Sequence, residues 1–176
     1  MRLVRRVREL QPRSVAINLL FSYLDDTAER AIQEALGEDM FVTRSSEILP
    51  EIREYERGMA TWLNAWVGPL VEGYIRRLTA GIPEAKVSVM QSSGETIAAA
   101  QAAHQTVRML LSGPAGGVAG ARFVGGQCGR KRLLTFDMGG TSTDVALIEG
   151  VPRLTSEGRV GPYPVAVPMV DMHTIG

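Results

Sequence analysis

One cysteine, Cys128, and two histidines, His104 and His173, stand in a chain of 176 residues. A lone thiol excludes an internal disulfide framework and fits a reducing cytoplasm. Two histidines leave little material for a histidine-based zinc site or a Ser-His-Asp triad. Charge of one sign is also missing: nineteen basic residues balance nineteen acidic ones, so nothing predicts nucleic acid as a partner. No apolar run approaches the roughly 18 residues of a membrane span. The start, Met1 to Arg8, is too charged to supply the apolar core of a signal peptide. What remains, 45% hydrophobic and 22% charged, describes a soluble, cytoplasmic globular chain with enough residues for one ordinary domain core.

The most informative stretch runs from Leu133 to Ile148. Leu133 to Phe136 and Val145 to Ile148 have the length and the β-branched or aromatic content of buried strands. Between them lie Gly139, Gly140, Thr141, Ser142 and Thr143, flanked by Asp137 and Asp144. Glycine allows a turn with positive φ and the close approach of another group. Successive N–H groups in such a turn make a concave anion site, and three hydroxyls add donors. A carboxylate at a strand end suits Mg²⁺, which prefers oxygen ligands. The spacing alone leaves two readings open: a nucleotide phosphate site with its metal, or a tight hairpin with a polar tip.

The remaining chain alternates helix and strand, an α/β pattern. An amphipathic helix over residues 2–10 ends at Pro12. Val15–Leu20 reads as a buried strand, Ala28–Leu36 as a helix closed by Gly37, and Met40–Thr43 as a short strand. Pro50 fits the first turn of a helix, and helical periodicity runs from about Glu54 to Ala80. Its apolar stripe includes Met59, Trp62, Leu63, Trp66, Leu70, Val71, Tyr74, Ile75 and Leu78, which makes both tryptophans core residues. Gly68-Pro69 is expected to break or kink it. Lys86–Gln91 reads as a strand, Ser92–Glu95 as a loop, Ile97–Ala103 as weakly helical and Val107–Leu111 as an extended run. Ser112 is the expected cap of a helix from Ser112-Gly113-Pro114 to about Val124. Gly113, Gly116, Gly117 and Gly120 share a face of that helix and require a compensating close neighbour, because each interior glycine costs about 1 kcal/mol. After the turn at Glu149-Gly150, Val151–Leu154 and Arg159-Val160 read as strands. Asp171 and His173 alternate, so on a strand they share a face and are candidate metal ligands.

The run Asp137–Ile148 resembles the second phosphate loop of the actin, sugar kinase and heat-shock chaperone ATPase superfamily, and Ser112–Ala121 resembles its connecting helix. More narrowly, these motifs resemble the hydantoinase A and 5-oxoprolinase family, which includes acetone carboxylase subunits. Glu54-Tyr55-Glu56-Arg57, Asn64-Ala65 and Asp171–Gly176 support the resemblance. The fold it implies is an α/β, actin-like (ribonuclease H-like) mixed sheet with flanking helices, incomplete in this chain. Residues 1–57 would be the end of the family's N-terminal region, and 58–176 the start of its ATPase-like domain. The resemblance thus describes an interior piece of a longer protein, inactive alone.

By that resemblance the whole enzyme hydrolyses a cyclic amide, of hydantoin or 5-oxoproline type, by phosphorylating the amide oxygen with ATP. Asp137 and Asp144 would be the catalytic carboxylates. Gly139, Gly140, Thr141, Ser142 and Thr143, with Gly116 and Gly117, would hold the phosphates, and Asp137 would hold Mg²⁺. A second subunit of hydantoinase B type is the implied protein partner. An ATP-driven acetone carboxylase-like subunit and a non-catalytic nucleotide-binding or assembly module are the alternatives. The family's His-Glu pair falls on Ala28 and Glu29, so the histidine is missing here. Arg57 and Asn64 fall on family positions, either against substrate or bracing the lobe.

Overall fold

A computed structural model describes residues 2–176. The elements follow in the order α1 (Arg2–Glu9), β1 (Ser14–Ile17), α2 (Thr27–Leu36), β2 (Phe41–Arg44), α3 (Ser45–Ile48) and α4 (Glu54–Gly81). Then come β3 (Ser88–Met90), β4 (Thr96–Ala98), α5 (Ala99–His104), a 3-10 turn (Thr106–Met109) and α6 (Ser112–Gln127). The hairpin β5 (Arg132–Met138) and β6 (Thr143–Glu149) leads to β7 (Val151–Pro152), β8 (Leu154–Thr155), β9 (Gly158–Val160), β10 (Tyr163–Val165), β11 (Met169–Val170) and β12 (His173–Ile175). Strands pair both parallel and antiparallel, but in small separate sheets.

The chain forms two units. Among the described residues, the first comprises 2–87, 99–107 and 157–167. Its centre is the parallel pair β1–β2, against which α4 packs. The phase of α4 is set by small and polar side chains, which overturns the expected stripe. Arg57, Ala60, Thr61, Leu63, Asn64, Ala65, Gly68 and Ile75 are buried. Trp62, at 41% exposure, and Trp66, at 64%, are on the outside, as are Leu70, Tyr74 and Leu78. Trp62 is two residues from Asn64, about 200° around the helix, so the two cannot share a face. The indoles stack on each other with centroids 5.5 Å apart, and Trp62 meets Tyr163 at 5.2 Å. Gly68-Pro69 does not break α4, which continues to Gly81. Proline removes one ladder bond; here glycine also lets Phe41 in, since a Cβ on Gly68 would lie 2.3 Å from its ring. Pro50 lies outside any helix, between α3 and α4. His104 is exposed, and its ring stacks on Phe41.

The second unit comprises residues 88–98, 108–156 and 168–176. β5 and β6 pair antiparallel over seven positions, from Arg132–Glu149 to Met138–Thr143. The other edge of β6 carries β12 along residues 143–145 and β7 along 148–149. α6 packs on this sheet through a small core of Ala115, Val118, Ala146, Ile148 and Val170. Only one face is covered: Leu134, Phe136 and Met138 on β5 and Leu147 on β6 are exposed. The two apolar runs are therefore half-buried strands, with alternation expressed on the sheet faces. The expected extended run at Val107–Leu111 turns instead through the 3-10 segment, and Leu111 takes φ +61°. That left-handed residue precedes α6, and Ser112 sits inside the helix without capping it. The close approach expected along the glycine face occurs elsewhere. Gly113 and Gly120 face open space, whereas a Cβ on Gly125 would come within 2.5 Å of Leu133. α6 accordingly runs past Val124 to Gln127.

Candidate functional site

The β5–β6 hairpin carries the polar tip. Its register sets Asp137 directly opposite Asp144 and Met138 opposite Thr143. The loop closes with the Gly139 N–H donating to the Ser142 carbonyl at 2.9 Å. Neither Gly139 nor Gly140 takes a positive φ, in contrast to the expected left-handed turn. What glycine supplies here is space. A Cβ on Gly140 would meet nothing within 4 Å, and one on Gly139 only the Ser142 carbonyl at 3.7 Å. Because the Gly139 N–H is already engaged, the donors left for an anion are the other loop amides and the hydroxyls of Thr141, Ser142 and Thr143.

Asp137 is exposed, Asp144 half-buried. Among the described residues no group donates a hydrogen bond to the Asp137 carboxylate, whereas Asp144 Oδ1 accepts the Thr174 hydroxyl at 2.6 Å. Opposed carboxylates on paired strands have Cβ atoms about 5 Å apart and repel, an arrangement a cation would relieve. Beside them an open cleft of about 580 Å³ lies between α6 and the sheet, lined by Pro114, Gly117, Val118, Phe136, Asp137 and Asp144 among others. Gly117 faces the carboxylate: a Cβ there would lie 3.9 Å from Asp137 Oδ2. A Cβ on Gly116 would instead meet Met90, 3.6 Å from its Cγ. The structure thus brings together Asp137, Asp144, Gly117 and the 139–143 loop.

It does not bring Asp171 and His173 into that group. Asp171 precedes β12 rather than lying on it, and its N–H is tied to the Arg153 carbonyl at 2.8 Å. His173 is on β12 opposite Val145, one position out of phase with Thr174, so it points to the other face. Among the described residues no group of three or more His, Cys, Asp or Glu side chains gathers as a metal cage. Cys128 is an exposed free thiol at the edge of the cleft.

The first unit holds a second polar assembly, buried and structural. Arg57, fully buried, donates from Nε to Asn18 and Ser45, from Nη1 to the Glu51 carbonyl and from Nη2 to the Leu19 carbonyl. Ser45 donates to Glu29 Oε1 at 2.7 Å, and Glu29 also accepts from the Leu19 and Ser46 N–H groups. Burial pushes the Glu29 carboxyl up, but donation from the Ser46 N–H, the Ser45 hydroxyl and the Leu19 N–H outweighs it and holds the group below the ordinary glutamate value. Asn64 donates to Thr43 and to the His104 carbonyl, and accepts from Thr106 and Val107. Arg57 and Asn64 therefore brace this unit. Ala28, at the place of the missing histidine, is exposed. The sequence signal for the assembly was the spacing Arg57, Thr61, Asn64 along one helix face, masked by the more conspicuous tryptophans.

A family model of hydantoinase/oxoprolinase proteins matches residues 57–176. Caprolactamase subunit alpha of Pseudomonas jessenii is 31% identical over 177 residues, covering 96% of this chain and 25% of that relative. The 5-oxoprolinase of Dictyostelium discoideum is 29% identical over 182 residues, covering 93% of this chain and 14% of the relative. The solved structure of the Pseudomonas ATP-dependent caprolactamase matches with a TM-score of 0.86 at 29% identity, covering 98% of this chain and 26% of that one. Nucleotide-free acetone carboxylase matches with a TM-score of 0.77 at 27% identity, over 98% and 26%. The chain thus spans about a quarter of the caprolactamase subunit and a smaller share of the oxoprolinase. Its α/β architecture of helices on small sheets, with these structural neighbours, is consistent with an incomplete actin-like ATPase fold. No helix among the described residues is long and apolar enough to cross a membrane.

Proposed function

The chain belongs to the hydantoinase/oxoprolinase family, and on that premise we propose that its β5–β6 hairpin holds the phosphate tail of ATP in an enzyme that opens cyclic amides. The observation that carries this reading is the opposed pair Asp137–Asp144 at the mouth of a hydroxyl-bearing glycine loop, beside an open cleft. The loop amides and the hydroxyls of Thr141, Ser142 and Thr143 bind the phosphate oxygens. Gly140 leaves the room for them to come close, and Gly117 leaves room on the α6 side. The oxygen-only donor set suits Mg²⁺, and Asp137 is the residue to hold it. Bound there, Mg²⁺ would neutralise phosphate charge. Asp144 supports the loop from the opposite strand.

An amide carbon resists water because nitrogen donates into the carbonyl. Attack of the amide oxygen on the γ-phosphorus breaks the bond to ADP and places a phosphoryl group on that oxygen. Water then adds to the carbon and the carbon–nitrogen bond opens with a proton passing to nitrogen, which leaves an acyl phosphate; a second water cleaves it, so the products are a ring-opened acid, ADP and inorganic phosphate. Such transfers depend on positioning and on charge neutralisation rather than on protein nucleophiles, which fits a site without a reactive histidine. The names of relatives as enzyme subunits support a partner chain that completes the substrate site.

The likeness to acetone carboxylase favours a second reading, ATP-driven carboxylation. Product analysis of the native enzyme separates the two. ADP release that depends on a hydantoin or 5-oxoproline and yields the ring-opened acid supports hydrolysis; release that depends on a ketone plus bicarbonate and yields a new carboxylate supports carboxylation. ADP release with neither contradicts both.

A further inference from the structure

Three polar side chains stand in one row across the sheet. Asp137 on β5 faces Asp144 on β6, and Asp144 faces Thr174 on β12. Directly opposed residues project from the same face, so all three side chains leave the sheet together. The Thr174 hydroxyl donates to Asp144 Oδ1 at 2.6 Å, the short distance of an O–H···O⁻ bond. Without that bond, repulsion from Asp137 would turn the Asp144 carboxylate aside. Threonine suits the task because its branched Cβ leaves few χ1 rotamers, and pairing of β12 with β6 fixes its backbone on both sides, at His173–Val145 and Ile175–Thr143. The same pairing reaches the loop side of the strand, where Thr143 begins β6.

From this geometry we propose that Thr174 is a positioning residue of the phosphate hairpin: it fixes the Asp144 carboxylate in the row beside Asp137 and thereby sets the shape of the loop between them. The proposal rests on the reading of the hairpin as an ATP site. Thr174 acts through Asp144 and not on the phosphates, so its loss should appear in turnover more than in nucleotide binding.

The test compares Thr174→Val, which keeps the shape and loses the hydroxyl, with Thr174→Ser, which keeps the hydroxyl. Both are made in the native full-length enzyme with its partner chains, and circular dichroism checks the fold. The valine variant should lose about tenfold in kcat for ATP while KM for ATP moves less than about twofold, the loss of roughly one hydrogen bond's worth of transition-state positioning. The serine variant should restore most of that kcat. A valine variant with the kcat of the unsubstituted enzyme overturns the proposal, as does a serine variant no better than valine, because a purely structural role would rank the two by packing. ATP turnover absent from the unsubstituted enzyme overturns the hairpin reading and this proposal together. Turnover present but indifferent to Thr174 overturns this proposal alone.

Discussion

Arg57 and Glu29 divide the chemistry of the first unit between a fully buried cation and a fully buried anion that meet through one hydroxyl, that of Ser45. Each charge is satisfied by donors or acceptors fixed in the backbone, so each is costly to remove. Arg57→Met should destabilise the folded chain by about 3 kcal/mol, because the Leu19 and Glu51 carbonyls and the Asn18 amide oxygen lose their donor inside the protein; urea denaturation reads the loss directly. Glu29 gives a pH signature. Its carboxyl is held below the ordinary glutamate value when folded, so its stabilisation is present above that value, about 4.3, and is lost as pH falls through the folded value. Glu29→Gln should therefore be less stable than the parent near neutrality and lose less stability on acidification below about pH 4.3. Equal acid sensitivity of the two proteins in denaturation curves would contradict the assignment. At this scale the sequence was legible where polar residues were concentrated: Asp137 and Asp144 do stand opposite each other below the loop that joins their strands. It was not legible at Thr174, whose partner lies thirty residues earlier and is fixed only by strand register.

Helices α4 and α6 show how burial, not periodicity alone, decides which face of an element packs. In α4 the indoles sit at helical spacing and still face outward, because the parallel pair β1–β2 presents Thr43 and Phe41, and these need an amide and a gap rather than two large rings. Small residues make such contacts, and a reading based on hydrophobicity gives them no weight. Gly68→Ala should thus destabilise by about 1–3 kcal/mol through the clash with the Phe41 ring. Gly120→Ala, facing open space on α6, should stabilise by up to about 1 kcal/mol, the ordinary helix preference for alanine. Thermal melting of the two variants separates the cases, and melting temperatures moving in the same direction would contradict the packing described. The ends of α1, α2 and β6 were legible to within a few residues at Pro12, Gly37 and Gly150, and Gly37 and Gly150 do take positive φ, at +75° and +79°; β4 instead lies at the start of the run read as helical, and α3, β10 and β11 were not read as elements. The extended reading of Val107–Leu111 failed because an apolar run carries no local sign of the left-handed turn at Leu111.

Over the whole molecule, two units emerge from one α/β pattern. The first is organised by buried hydrogen bonds around β1, β2 and α4. The second presents a hairpin whose tip is polar and open. The proposed function requires the hairpin to bind the phosphates of ATP with Asp137 at its mouth. Its most direct test is ATP turnover by the native full-length enzyme carrying Asp137→Ala, with circular dichroism to confirm the fold. The exposed carboxylate contributes no hydrogen bond to the structure, so folding should be unchanged. Turnover should fall at least about a hundredfold, the scale seen when one charge-stabilising group is removed from a transition state. A well-folded Asp137→Ala enzyme that still hydrolyses ATP at the parent rate would contradict the claim.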